Sequence, residues 1–206
     1  MTTETIHLAV YDMLADWEFG FATAHLNMPQ FQKAPGRFRV TTVGETADPV
    51  TSTGGMRILP DITLDQLDPE RSAMLILPGG SSWMDGDRNL AYAKKAREFA
   101  DAGVPVAAIC GAAIGLAAAG LLDDRAHTGN SPDELAATGY QGGNRYQDEP
   151  AVTDRGVITA GGIAPVEFTR EIFALLDAYE PAVLDAWFLM FRHHDMSGVM
   201  ALAGPE

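Results

Sequence analysis

The chain contains one cysteine, Cys110, and its neighbours give it a setting in which a sulfur can react. It ends the apolar run 104–109 and is followed by Gly111, Ala112 and Ala113. A strand that passes through a tight turn straight into a helix projects the side chain at the turn above the sheet, and only small neighbours allow the turn to form. The start of the following helix offers free N–H groups and partial positive charge, which favour thiolate over thiol and predict a pKa below the usual value of about 8.5. A cysteine after an apolar strand also packs as a small buried hydrophobe. Two further glycine-rich segments, Gly79-Gly80 and Gly161-Gly162, follow other apolar runs and favour the reactive reading. The backbone N–H groups of Gly80 and Gly111 are the candidate oxyanion hole beside the sulfur.

The elements that would position this group follow from the hydrophobic pattern. Residues 6–11, 38–43, 74–77, 104–109 and 157–160 read as strands, several of them apolar throughout. Helices are predicted over 15–27, 90–102, 112–120, from Pro165 along a face made by Phe168, Ile172, Phe173 and Leu176, and in a last segment carrying Trp187, Phe188 and Phe191. Gly54-Gly55, between two short β-like runs, predicts a hairpin or sharp bend. Strands alternating with helices argue for an α/β protein with a parallel sheet covered on both faces. In such sheets ligands bind at the carboxyl ends of the strands, where all three glycine-rich segments lie.

Length and composition agree with a single domain spanning residues 1–206. The formal net charge of −14 makes nucleic acid and anionic membranes poor partners. One cysteine excludes an internal disulfide and a cysteine-paired zinc site. Neither a basic leader with an apolar core nor an apolar run near the roughly 20 residues of a membrane span is present, so a cytoplasmic location is expected.

Six stretches carry a resemblance: Ala-Asp-Trp-Glu at 15–18, Ser-Thr-Gly-Gly-Met-Arg-Ile-Leu-Pro-Asp at 52–61, Leu-Ile-Leu-Pro-Gly-Gly at 75–80, Ala-Ala-Ile-Cys-Gly-Ala at 107–112, Gly-Leu-Leu-Asp-Asp-Arg at 120–125 and Ile-Thr-Ala-Gly-Gly at 158–162. In this order they resemble the ThiJ/PfpI family of the class I glutamine amidotransferase-like superfamily. The resemblance implies a flavodoxin-like three-layer α/β/α sandwich and a homodimer. It implies Cys110 as nucleophile or oxidation-sensitive thiol, with Glu18 beside it as a protonated acid that hydrogen-bonds a thiolate or sulfinate. Many relatives carry a histidine directly after the cysteine or about 20 positions on, where this chain has Gly111 and Asn130. His127, three residues before Asn130, either reaches the thiol by another path or bonds backbone in its loop, and Asn130 is a candidate to orient a ligand.

Other candidates have competing structural roles. Asp16 is a second acid for the pocket or a helix N-cap. Among Trp17, Trp83 and Trp187, the loop residue Trp83 is the best placed to line a pocket, and Trp187 reads as core or interface. Gly79, Gly161 and Gly162 complete the expected pocket. His193, His194 and Asp195 do not make a metal site, because adjacent helical side chains diverge by about 100 degrees, and no metal or cofactor is expected. These residues together predict a cysteine-dependent enzyme acting on a small electrophile such as an amide, aldehyde or isonitrile. Proteolysis is not expected without a base to activate the sulfur. The competing reading is a redox or stress sensor in which Cys110 oxidises to a stabilised sulfinate.

Overall fold

The computed structural model describes residues 3–198. Its centre is a seven-stranded sheet in the order β5-β2-β1-β6-β7-β9-β8. The strands are β1 (Glu4–Ala9), β2 (Phe38–Gly44), β5 (Ile62–Thr63), β6 (Met74–Leu77), β7 (Val106–Ile109), β8 (Ala151–Asp154) and β9 (Val157–Ala160). All neighbours pair parallel except β8, which runs antiparallel to β9. Two short strands, β3 (Val50–Thr51) and β4 (Arg57–Ile58), form a separate antiparallel hairpin around Gly54-Gly55.

The central strands are apolar because both their faces are covered. Leu75, Ile76, Leu77 and every residue of β7 are fully buried. A strand enclosed on both sides has no solvent face for polar residues to occupy. On one face α1 (Asp16–Asn27) packs against α5 (Pro165–Leu175), and α5 against α6 (Pro181–His193). On the other, α2 (Leu90–Asp101) packs against α3 (Gly111–Ala118). A short helix, α4 (Pro132–Ala136), is capped by Ser131, whose hydroxyl accepts from Glu134 N. No helix among the described residues is long and apolar enough to cross a membrane.

The expected α/β layering is present, and most expected elements sit within two residues of their bounds. The pattern did not reveal β5, β8 or α4, which are two, four and five residues long. β5 and α4 hold too few periodic positions to stand out, and β8, unlike the equally short β6, β7 and β9, is neither apolar nor buried throughout. The strand expected over 104–109 begins at Val106, because Pro105 cannot donate to a ladder.

The pairing register aligns the strand exits. Leu77 lies opposite Ala108, and Ile109 opposite Ala160. The loops after β6, β7 and β9 therefore leave the sheet side by side. The chain steps from β1 to β2 on one side and returns on the other with β6, so β1 and β6 flank the point where strand order reverses. Crevices at such points are where open α/β sheets take their ligands.

Candidate active site

Cys110 stands between β7 and α3 with φ 58° and ψ −125°. A side chain with positive φ is strained, and such strain persists only where the surrounding structure enforces it. The enforcement is visible on both sides. Cys110 N donates to Ala160 O at 2.9 Å, continuing the β7–β9 ladder, while its carbonyl accepts from Ala113 N at 3.0 Å and opens the helix.

Glycines make room for the sulfur. A Cβ at Gly79 would lie 2.5 Å from Cys110 Cβ and 2.7 Å from Glu18 Oε2; one at Gly162 would lie 2.8 Å from Cys110 Sγ. Both positions exclude any larger residue, which explains glycine at these strand exits. At position 111 a Cβ would stand 2.9 Å from Gly80 O and 3.0 Å from Trp83 Cβ, so the space that a histidine after the cysteine would need is already filled.

Glu18, from the first turn of α1, is 0% exposed. Its Oε2 accepts from Gly79 N at 2.5 Å, and its buried Oε1 has no hydrogen-bond partner within ordinary distance. That oxygen and the sulfur both approach Gly162. Burial raises the Glu18 pKa to about 7, against a smaller opposing effect of the Gly79 N–H. Burial also raises the thiol of Cys110, and the Glu18 charge adds to the rise; N–H donors from Asn130 and Gly111 oppose it. This reverses the expected lowering: the helix start does favour thiolate, but desolvation and a neighbouring carboxyl outweigh it. Two such groups in contact titrate as a pair, each ionisation hindering the other.

Asn130 completes the contacts to sulfur. Its Nδ2 donates to Cys110 Sγ at 3.4 Å and its Oδ1 accepts from Gly162 N at 2.9 Å. The carbonyl of Gly162 accepts from Trp17 Nε1 at 3.0 Å. The sulfur opens onto a cavity of about 430 Å³, lined among others by Met13, Trp17, Met84, Ile114 and Asn130. Gly80 and Gly111 line the same cavity. Asn130 and Glu134 also line a neighbouring cavity of about 620 Å³, which Gly161 and Gly162 border.

None of His127, Asp16 and Trp83 lines this cavity, and His127 takes the backbone-bonded place open to it. His127 is 0% exposed and faces away from this cavity: Nδ1 contacts Arg125 O at 2.8 Å and Nε2 contacts the Tyr140 hydroxyl at 2.9 Å, with Tyr140 and Tyr146 edge-on to the ring. Both nitrogens are committed, and burial lowers its pKa. Asp16 is not the N-cap of α1; Ala15 holds that place, and Asp16 Oδ2 accepts from Gly54 N at 2.6 Å, tying the β3–β4 hairpin to the start of the helix. Trp83 is only 7% exposed and lies under α3, its indole donating to the Tyr11 hydroxyl at 2.9 Å and to Pro78 O at 3.1 Å. The tryptophan at the cavity is Trp17, 56% exposed. Trp187 is core, as expected, packed against Phe21, Phe173 and Phe191. Met13, Thr53, Met84, Ile114 and Glu134 line the cavity without any sequence signal, because separate loops and helices converge there.

Trp83 also yields a stability prediction. A Cβ at Gly115 would lie 2.1 Å from Trp83 Cζ3. Gly115→Ala is expected to destabilise the fold by about 1–3 kcal/mol through overpacking, despite alanine's better helix propensity. Urea unfolding of the variant against wild type measures it; equal midpoints would show that the indole has room to move.

The DJ-1/PfpI family model matches residues 4–175. The chain belongs to the DJ-1/PfpI family. It is 38% identical over 191 residues to a Bacillus subtilis protein named "Uncharacterized protease YoaZ", covering 91% of this chain and 90% of that one. It is 31% identical to the "Uncharacterized protease YdeA" of the same organism, covering 89% of each. Among solved structures, a ThiJ/PfpI family protein from Bacillus anthracis superposes with a TM-score of 0.92 at 36% identity, covering 98% of this chain and 97% of that one. The DJ-1 superfamily protein Atu0886 from Agrobacterium tumefaciens superposes with a TM-score of 0.83 at 34% identity, covering 94% of this chain and 100% of that one. The flavodoxin-like α/β arrangement of this DJ-1/PfpI chain is thus that of its relatives.

Proposed function

We propose that the protein is a cysteine-dependent enzyme acting on a small electrophilic substrate, with Cys110 as nucleophile and Glu18 as its proton partner. One observation carries the reading: a strained cysteine, in contact with a fully buried carboxyl whose second oxygen is unpartnered, opens onto a cavity sized for a small molecule. Strain and an unsatisfied buried acid both cost stability, and such costs concentrate at functional sites. Sulfur attacks an electrophilic carbon, the N–H groups of Gly80 and Gly111 hold the resulting anion, and Glu18 exchanges the proton. The apolar wall of Met13, Trp17, Met84 and Ile114 suits a substrate with an apolar body. Asp16 and Trp83 have no part in the chemistry under this reading, and neither does His127. Without an imidazole at the sulfur, an aldehyde, activated amide or isonitrile is a more suitable substrate than a peptide bond, although two relatives carry a protease name. The reading includes a homodimer, measurable by light scattering as twice the mass of one chain.

The unpartnered Oε1 of Glu18 supports a second reading. Peroxide oxidises the thiolate to a sulfenate with release of water or hydroxide, and a second equivalent takes it to sulfinate, whose oxygen accepts a hydrogen bond from protonated Glu18. Incubating wild type and Cys110→Ala with a panel of aldehydes, amides and isonitriles, followed by NMR, separates the readings. The enzyme reading expects turnover of at least one class by wild type, at least about 100-fold reduced in Cys110→Ala. No turnover in the panel, together with stoichiometric sulfinate at Cys110 in dilute peroxide, replaces it with the sensor.

A further inference from the structure

We propose that Asn130 is the side chain that holds negative charge on Cys110, as a donor whose orientation the Gly161-Gly162 loop locks. The proposal rests on Cys110 being the reactive group and assigns a task to a residue that stands beside it.

An amide side chain can be turned either way, and only its partners decide which end faces where. Here they decide it. Gly162 N is a backbone donor, so the atom 2.9 Å from it must be the Asn130 oxygen. The nitrogen is therefore the atom 3.4 Å from Cys110 Sγ, and it can only donate. The other side of the Gly162 backbone is held as well, its carbonyl accepting from Trp17 Nε1 at 3.0 Å. Three separate segments thus fix one amide: the start of α1, the β9 exit and the loop before α4.

The consequence is chemical. A donor aimed at sulfur favours thiolate over thiol and equally favours an anion forming where substrate meets the sulfur. An amide is neutral at every working pH, so it supplies this donor without an ionisation of its own, as an imidazole in that place would not. It is a positioning residue for the thiolate that lines the substrate cavity. The titratable groups facing the sulfur are Glu18 from α1, the buried Tyr11 hydroxyl after β1, and Glu134 of α4 across the cavity. All three remain in place when residue 130 is changed.

The test is the pH profile of Cys110 alkylation by iodoacetamide, which reads one sulfur because the chain has one cysteine. Asn130→Asp keeps the oxygen for Gly162 N and replaces the donor with negative charge. Its midpoint should rise by about one pH unit or more, slowing alkylation at pH 7 roughly tenfold or more, with the melting temperature near that of wild type. Asn130→Ala removes donor and clamp together; its midpoint should rise by less, since no charge is added. If Asn130→Asp does not fold, the alanine variant alone must still show the rise. An unmoved profile in the folded variants, with or without a fall in melting temperature, reduces Asn130 to a loop clamp and overturns the proposal. A wild-type sulfur that fails to alkylate at any pH overturns the nucleophile reading as well, so the two failures are distinct.

Discussion

Glu18→Gln is expected to convert a two-step pH profile of Cys110 alkylation into a single step, and to make the protein more stable than wild type at pH 8. Both effects follow from one buried carboxyl against one sulfur. In wild type, ionisation of either group hinders the other, so the alkylation rate changes twice with pH, once near 7 where Glu18 titrates. Glutamine keeps an oxygen for Gly79 N and never ionises, so one step remains, at lower pH than the upper step of wild type. The stability effect has a definite sign. The pKa of Glu18 is raised in the folded state from 4.5 to about 7. The folded chain therefore holds a proton the unfolded chain has released, and this contribution is complete below 4.5 and gone once the pH passes 7. The shift corresponds to something on the order of 3 kcal/mol, which wild type lacks at pH 8 relative to pH 4 and the glutamine variant does not lose.

A second buried group opposes it in wild type. His7, on β1 beside the Ser72 hydroxyl, is lowered from 6.5 to about 4 by burial and then by the Arg39 charge. Its contribution is present above 6.5 and is lost as the pH falls through 4. Between about 4.5 and 6.5 the two slopes offset each other in wild type, so Glu18→Gln should show stability rising with pH in that window where wild type is flatter. Urea unfolding at pH 5 and pH 8 checks both variants. Equal stability at pH 8 and a two-step alkylation profile retained in the variant would show that Glu18 is neither ionising there nor coupled to the sulfur.

The second large effect concerns the strain at the elbow. Cys110→Ala and Cys110→Gly should both lose all cysteine-dependent activity, yet the glycine variant should be the more stable of the two by about 1–2 kcal/mol. At φ 58° and ψ −125° any Cβ is strained, and alanine retains that cost while glycine does not. Part of the gain is offset, because glycine has more freedom to lose on folding. Ordinarily alanine to glycine destabilises, so the sign alone decides. An alanine variant more stable than the glycine variant in urea unfolding would mean that the turn relaxes when the sulfur leaves.

The layered α/β architecture, the tight turn at Cys110 and the glycine-rich exits were legible in the sequence, because each rests on local chemistry. Strands such as 74–77 and 106–109 are apolar throughout, and only a strand covered on both faces tolerates that. A strained turn needs small residues next to it, so Gly111 and Ala112 mark it without a partner in view. What the local pattern could not supply was which side chains meet across the loops. The roles expected of His127, Asp16 and Trp83 each depended on direction. Direction is set chiefly by contacts farther along the chain: Tyr140 for the histidine, Gly54 for the aspartate and Tyr11 for the indole. The raised pKa of the thiol lies beyond the local pattern for the same reason. A helix start can be read from sequence, but desolvation and a carboxyl 92 positions away exist only once β1, β6 and β7 lie side by side. The sequence by itself placed a cysteine on a tight turn at the carboxyl ends of a parallel sheet and, through the resemblance, Glu18 beside it; only the tertiary structure decided that Asn130 rather than His127 contacts the sulfur, because hydrogen bonds and burial act through space and not along the chain.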